Sequence, residues 1–475
     1  MKKIIILTFC VLGYTLLQAQ VFTKQKAKNV LQKAEDAYNK GSYKSALEYY
    51  EEANTYYPKH FDAEAYYKMG ISYAKLSNDT QAISCFQKTI AINPNYVETY
   101  LYMGTSYAKL GNYNQAISCF QKVIAINPNY AETYYGMGLF YAILGNYNQS
   151  ISCFQKAVAI NPDFIEAYYS MGLSYAILGN YNQSVSCFQK IVAIDSNHAA
   201  AYYNMGNSYA KLGNDTQAIN YYKKTITIDS NDAKAYYNIG VSYDKLGNDT
   251  QAINYYQKAI VINPNYAEVY YDMGNSYANL SNYTQAISYY KKAITIDSND
   301  AEAYYNIGVS YDKLGNYTQA ISYYQKAITV NPNDAEAYYN MGNSYAKLGN
   351  DTQAISYYQK AITVNPNYGN AYYNMGNSYA KLGNDTQAIS YYQKVITVNP
   401  NDAEAYYNMG NSYANLGNYT QAISYYQKAV AINPNDAKAY YNMGGAYYKL
   451  RNDNQAISCL QKAIAINPNF AEAYY

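Results

Sequence analysis

The chain has no tryptophan and only two histidines, His60 and His198, in 475 residues. A His-activated nucleophile or a His-rich zinc site therefore has almost nothing to draw on. Charge is scarce as well: 14% of residues are Asp, Glu, Lys or Arg, 35 basic against 33 acidic. A near-neutral chain without basic runs lacks the electrostatic footprint of a DNA- or RNA-binding protein. No Gly-rich phosphate loop and no clustered carboxylate pair occurs, so no catalytic residue, cofactor or metal is assigned and an enzyme is not expected. Beyond residue 20 there is no long apolar run. The single one, Ile4 to Leu17, is shorter than the roughly 20 residues that span a bilayer as a helix. It follows Lys2 and Lys3 and precedes Ala19, so residues 1–19 are expected to be a signal peptide. Leu17 is large for the position two before the cut, and Phe9 ahead of Cys10 is too bulky for a lipidation box. The expectation is export to the periplasm, the medium or the cell envelope, with an uncleaved anchor as the alternative. The mature chain would have no membrane span.

What the chain has in abundance is tyrosine, 70 residues, and periodicity. A glycine with a tyrosine three residues later recurs every 34 positions from Gly70 to Gly444. Repetition at a fixed period of this size marks a solenoid, whose units bury their apolar faces only against one another. With Ala63 as position 1, Tyr66, Met69, Gly70 and Tyr73 fall at i, i+3, i+4 and i+7, one face of a helix. Ala82, Phe86, Thr89 and Ile90 form a second such face. Between them lies the turn Leu76-Ser77-Asn78-Asp79. Most later units put Gly at its second place, as at Gly111, which suits a left-handed helix stop. Asn and Thr are expected to cap the second helix. All ten prolines, Pro58 to Pro468, lie just past that second helix, where the fixed φ and missing N–H end it. Three units have Ser196, Ser230 or Ser298 there instead, inside Asp-Ser-Asn turns. Each unit is a helical hairpin. A helical glycine costs about 1 kcal/mol against alanine, so its recurrence predicts a close approach of the two helices.

Tyr-x-x-Met-Gly-x-x-Tyr, then Ala-x-x-x-Phe, then Pro, at this period, resembles the tetratricopeptide repeat, with Tyr66 in place of tryptophan and Met69 in place of leucine. Twelve full copies cover residues 63–470. A diverged first copy covers 27–62, fitting through Ala34, Tyr38, Gly41, Tyr43, Ala46, Tyr50, Ala53 and Pro58. Residues 20–26 are expected to form an N-terminal linker, and 471–475 the truncated start of a further helix. The resemblance implies an all-α fold, a right-handed α-solenoid of about 13 stacked hairpins. No polar cap follows the last hairpin, so apolar surface near Leu460 and Ile464 is expected to be exposed, through truncation or for end-to-end self-association.

Cys85, Cys119, Cys153, Cys187 and Cys459 share one repeat position. Equivalent points of stacked hairpins lie two helix layers apart, at roughly 8–10 Å per layer. That exceeds the about 7 Å reach of a disulfide, so these thiols are expected to pack and not to pair. Asn-x-Ser/Thr acceptors such as Asn78, Asn214, Asn248 and Asn350 all fall in the turn between the helices, where backbone chemistry alone explains them.

One set on the first helix stands beside its buried face: Tyr203, Asn204 and Asn207, repeated as Tyr339, Asn340, Asn343; Tyr373, Asn374, Asn377; and Tyr407, Asn408, Asn411. In tetratricopeptide-repeat proteins these positions line the concave groove that holds extended peptides. Asn donates and accepts together, so a ladder of amides can grip a peptide backbone whatever its side chains. The set is similar to the Asn-lined superhelix of O-linked N-acetylglucosamine transferases, although no catalytic domain accompanies it. Lys or Arg, which a carboxylate clamp would need, is not found at these sites. The resemblance implies a protein-protein interaction scaffold whose partners are proteins or peptides. The alternatives left open are a cell-envelope carbohydrate-binding protein and the recognition arm of a modifying enzyme complex.

Overall fold

The computed structural model describes residues 2–56, 58 and 61–474, with side chains omitted for 2–10, 13 and 474. His60 lies outside the described residues. Among them the chain forms 26 α-helices joined as 13 hairpins, and no strand. It divides into two units, Met1–Ser230 and Asn231–Tyr475. Within each, every helix packs on the next in sequence.

Local chemistry sets the boundaries. The first helix of each full hairpin runs 13 residues and the second 14, as in Ala335–Lys347 and Asp351–Val364. Asp334 accepts from the N–H groups of Glu336 and Ala337 and so caps the first helix. The helix stops at a residue of positive φ: Gly111 at 76°, but also Ser77 at 61°, Ser281 at 58° and Arg451 at 58°. Glycine is the unstrained choice there, and those three units accept a side chain in its place. Asn350 then caps the second helix by accepting from Gln353 N–H at 3.1 Å. Threonine, expected to share this task, does not: Thr352 already stands inside the helix. After the second helix, Asn331 accepts from the N–H of Asn333 across Pro332, and Asp195 does the same for Asn197 across Ser196 at 3.0 Å. The side-chain turn is thus common to both versions, which is why serine can replace proline.

Small residues let the helices close up. Ala320, Ala354, Ala388 and Ala422 are wholly buried. A Cβ added to Gly342 would sit 2.5 Å from Tyr358 Cε1, and one on Gly70 would sit 2.5 Å from Phe86 Cε1. Each of these glycines is the floor under an aromatic ring of the second helix, and in the last hairpin Gly444 faces Leu460 instead. The expected close approach is therefore specific: backbone against ring.

At the N-terminus one helix runs from Lys2 to Asn39, so the segment 20–26, expected to link, is helical. Among the described residues no helix is long and apolar enough to cross a membrane. Residues 471–474 form a short 3-10 turn. Leu460 and Ile464 are partly covered, and the exposed large apolar side chains of that last hairpin include Tyr448, Leu450 and Ile457.

Candidate partner-binding groove

The ring at position 24 organises the face in question. Where it is phenylalanine (Phe86, Phe120, Phe154, Phe188), position 9 carries Ile71, Thr105, Leu139 or Leu173. Where it is tyrosine, its buried hydroxyl needs an acceptor, and each such hairpin from residue 199 onward supplies one, whereas the buried Tyr50 hydroxyl of the first hairpin has none. Tyr222, Tyr290, Tyr358, Tyr392 and Tyr426 donate to the Oδ1 atoms of Asn207, Asn275, Asn343, Asn377 and Asn411 at 2.7–2.9 Å. Two hairpins have Val241 and Val309 at position 9. There the acceptor moves one helical turn along: Tyr256 donates to Asp244 at 2.5 Å and Tyr324 to Asp312 at 3.1 Å. Asn207, Asn343, Asn377 and Asn411 thus each have an internal partner, which the repeat-by-repeat exchange of Tyr/Asn, Tyr/Asp and Phe/apolar would have revealed from sequence.

Asn at position 6 ties neighbouring hairpins together. Asn204 Nδ2 donates to Tyr169 at 3.1 Å in the first unit. In the second unit Asn340, Asn374 and Asn408 donate to Tyr305, Tyr339 and Tyr373 at 2.8–3.1 Å. Asn374 and Asn408 also reach the Oδ1 atoms of Asn343 and Asn377, at 2.8 and 3.3 Å. The structure therefore brings the Asn residues of the second unit into a continuous ladder. Tyr339, Tyr373 and Tyr407 lie against Tyr358, Tyr392 and Tyr426, with ring centroids about 6 Å apart, and Tyr203 lies likewise on Tyr222. All of these ladder residues are half-buried.

A concavity of about 350 Å³ opens on the ladder between Asn343, Asn374 and Asn377, with Lys347 and Lys381 at its edge. Neither lysine was singled out from sequence. Lys381 Nζ lies 4.0 Å from the buried Asp351 of the preceding hairpin. Where this position is Asn, a direct hydrogen bond forms instead, Asn415 to Asp385 at 3.2 Å. In the last hairpin Gly445, Tyr448 and Leu460 stand where Asn, Ala and Tyr stand in its neighbour, and a larger concavity of about 930 Å³ opens beside Asn411 and Asn442.

One rung carries charge. Asp272 stands where its neighbours have Asn, and its Oδ2 accepts from Tyr237 at 2.9 Å. Burial pushes its carboxyl up to about 6, aided by the nearby Asp244. An unfolded aspartate titrates near 4. Between those values the folded chain holds a proton that the unfolded chain has lost, so the Asp272 contribution to stability is present at low pH and is lost as pH rises through about 6. Asp272→Asn should therefore raise the melting temperature near pH 8 and bring little gain near about pH 4. Melting curves at the two pH values check this; an equal gain at both would count against it.

The remaining sequence candidates are structural. Cys85, Cys119, Cys153, Cys187 and Cys459 are free and buried. Burial pushes the Cys85 and Cys119 thiols up to about 11 and Cys187 to about 12, so they are poor nucleophiles. His198 caps a helix, its Nδ1 accepting from Ala201 N–H at 3.1 Å.

Comparison with known proteins agrees with this architecture. The family models described as "Tetratricopeptide repeat" and "TPR repeat" match in overlapping segments from residue 63 to residue 470, for example 335–368, 357–390 and 376–417. No curated protein matches. Among solved structures, the chain is similar to YrrB, described as a TPR protein with an unusual peptide-binding site. Identity there is 30%, over 39% of this chain and 95% of that one, with a TM-score of 0.36. MamA from Desulfovibrio magneticus RS-1 is 26% identical over 36% of this chain and 96% of its own, TM-score 0.35. A tetratricopeptide repeat protein from Parabacteroides merdae is 19% identical over 53% and 99%, TM-score 0.37. With family models matched in unit after unit over most of its length, this chain belongs to the tetratricopeptide repeat family.

Proposed function

We propose that the chain is an exported, non-catalytic scaffold that holds extended segments of partner proteins along the Tyr/Asn face of its first helices. The supporting observation is how internal bonds orient the amides. Asn374 uses its Nδ2 hydrogens on Tyr339 and Asn343, and Asn408 uses its own on Tyr373 and Asn377. What each turns to a partner is an Oδ1 acceptor. Asn377 and Asn411 use Oδ1 on Tyr392 and Tyr426, and on the Asn of the next hairpin. What they offer is an Nδ2 donor. Acceptor and donor alternate, which complements the N–H and C=O groups of an extended backbone. The ring faces alongside add apolar contact at low entropy cost.

The test compares two triple variants on a random-sequence peptide array. Asn340→Ala, Asn374→Ala and Asn408→Ala together should abolish peptide capture with helical circular dichroism unchanged. Tyr305→Phe, Tyr339→Phe and Tyr373→Phe break the same internal bonds but keep the amides, and should retain capture to within about threefold, one such bond contributing about 0.5–1.5 kcal/mol. Equal loss in both would make the ladder purely structural. Competition by soluble sugars and not by peptides would replace this reading with an envelope-glycan one. If capture survives only with a second subunit bound, the chain is the arm of a larger enzyme. Uncharged contacts should make capture nearly insensitive to salt.

A further inference from the structure

The second helices carry a different surface. Each of the twelve from Asp79–Ile92 to Asp453–Ile466 has a lysine at position 26, from Lys88 to Lys462. None has an acidic residue beyond its first position. In the second unit that is one lysine per hairpin at this position, seven in all, from Lys258 every 34 residues to Lys462, with Lys291 beside Lys292. None of these lysines lies in an ion pair within 4 Å. These twelve helices thus carry no acidic side chain past their first residue, whereas the first helices carry both signs, as at Glu336 and Lys347.

In the second unit each of these ammonium groups also lies within 6.0 Å of a tyrosine ring centroid. Lys360 Nζ sits 4.5 Å from the Tyr357 ring centroid and 6.0 Å from that of Tyr338. Lys394 sits 4.9 and 5.4 Å from Tyr391 and Tyr372. Behind them, Tyr357 stacks on Tyr345 at 5.3 Å and 9°, and Tyr391 on Tyr379 at 5.4 Å and 6°. A lysine that merely solvates a helix has no need of two rings; here cation–π attraction fixes the head group. Positions 4 and 11, which bear two of the rings, lie on the opposite side of the first helix from positions 6 and 9 at 100° per residue. The lysine row is thus separate from the Asn ladder.

Apart from Val364 at its end, the rest of the exposed helix surface is uncharged and hydrogen-bonding: Thr352, Gln353, Ser356, Gln359 and Thr363 flank Lys360. We infer that this face binds an acidic polysaccharide. Its hydroxyls match the amides and hydroxyls of the face, and its carboxylates match one ammonium per hairpin. A duplex nucleic acid, with a charge every 1.7 Å of its axis, would leave most phosphates without a partner on so sparse a row.

The experiment uses the full chain and three immobilised polymers: polygalacturonate, neutral dextran and poly-L-glutamate. The expected result is binding to polygalacturonate that weakens as salt rises, with at least tenfold weaker binding to the other two. Changing Lys292, Lys326, Lys360, Lys394 and Lys428 together to Gln should weaken polygalacturonate binding at least tenfold, with the melting transition retained. The Asn340→Ala, Asn374→Ala, Asn408→Ala variant should bind it as wild type does, which separates this surface from the groove. Absence of polygalacturonate binding, or binding unchanged by the lysine changes, overturns the inference. Equal binding to polyglutamate moves the surface to acidic proteins, and equal binding to dextran removes the charge argument; either outcome overturns it too.

Discussion

Replacing Gly342 by leucine should unfold the hairpin 335–364 locally while the more distant hairpins stay protected from hydrogen exchange. The added Cβ alone would lie 2.5 Å from the Tyr358 ring, and the ring cannot retreat because Tyr358 is buried on all sides. Overpacking of this kind costs about 1–3 kcal/mol and sometimes more, far above the gain of up to about 1 kcal/mol that helix propensity gives for removing a glycine. The contrast makes Gly342→Ala the sharper probe: propensity predicts a gain, the ring predicts a loss, and loss should win. In a solenoid each unit depends on its neighbours only, so reduced protection should be greatest in 335–364, smaller in the adjoining hairpins and absent beyond them. A loss spread evenly over residues 231–474 would mean that the glycines serve something other than local packing.

The second large effect concerns the buried tyrosine hydroxyl. Asn343→Val puts in the residue found at Val241 and Val309 but leaves Tyr358 without its acceptor, which should cost about 1–3 kcal/mol. Ala346→Asp supplies the acceptor from the position used by Asp244 and Asp312. Alone it should destabilise, because burial raises carboxyl pKa values there, as it does for Asp312. The double variant should recover most of the loss. It rebuilds an arrangement the chain already has twice, and Ser378 stands ready to donate as Ser276 and Ser344 do at 2.9 and 2.7 Å. Urea unfolding of the four chains gives the coupling energy, expected at about 1–2 kcal/mol and favourable. Additive losses would show that the hydroxyl does not depend on this acceptor.

Much of the fold was legible because each signal was written nine to twelve times. The turn at Gly111, the proline-bounded helix ends and the Tyr66/Met69/Gly70/Tyr73 face are short-range patterns, and short-range patterns survive in sequence. The capping role given to threonine was not correct, since it depended on a one-residue register that only backbone geometry sets. For the groove, sequence picked out Asn340, Asn374 and Asn408 as a polar stripe. That they first bond Tyr305, Tyr339 and Tyr373 of the preceding hairpin was out of view, because those pairs lie 35 residues apart and meet only when hairpins stack.

By itself the sequence determined that this protein is a row of helical hairpins. A 34-residue period with two helical faces and two fixed breaks has no other way to bury its apolar groups. The tertiary structure alone decided which polar groups bond from one hairpin to the next and which atoms that leaves outward. A hydrogen bond consumes a particular lone pair or hydrogen, and which one is consumed depends on distances across hairpins that no local pattern encodes. That is why the same asparagines can tie neighbouring hairpins together and still, in the proposed groove, leave one atom each for a partner.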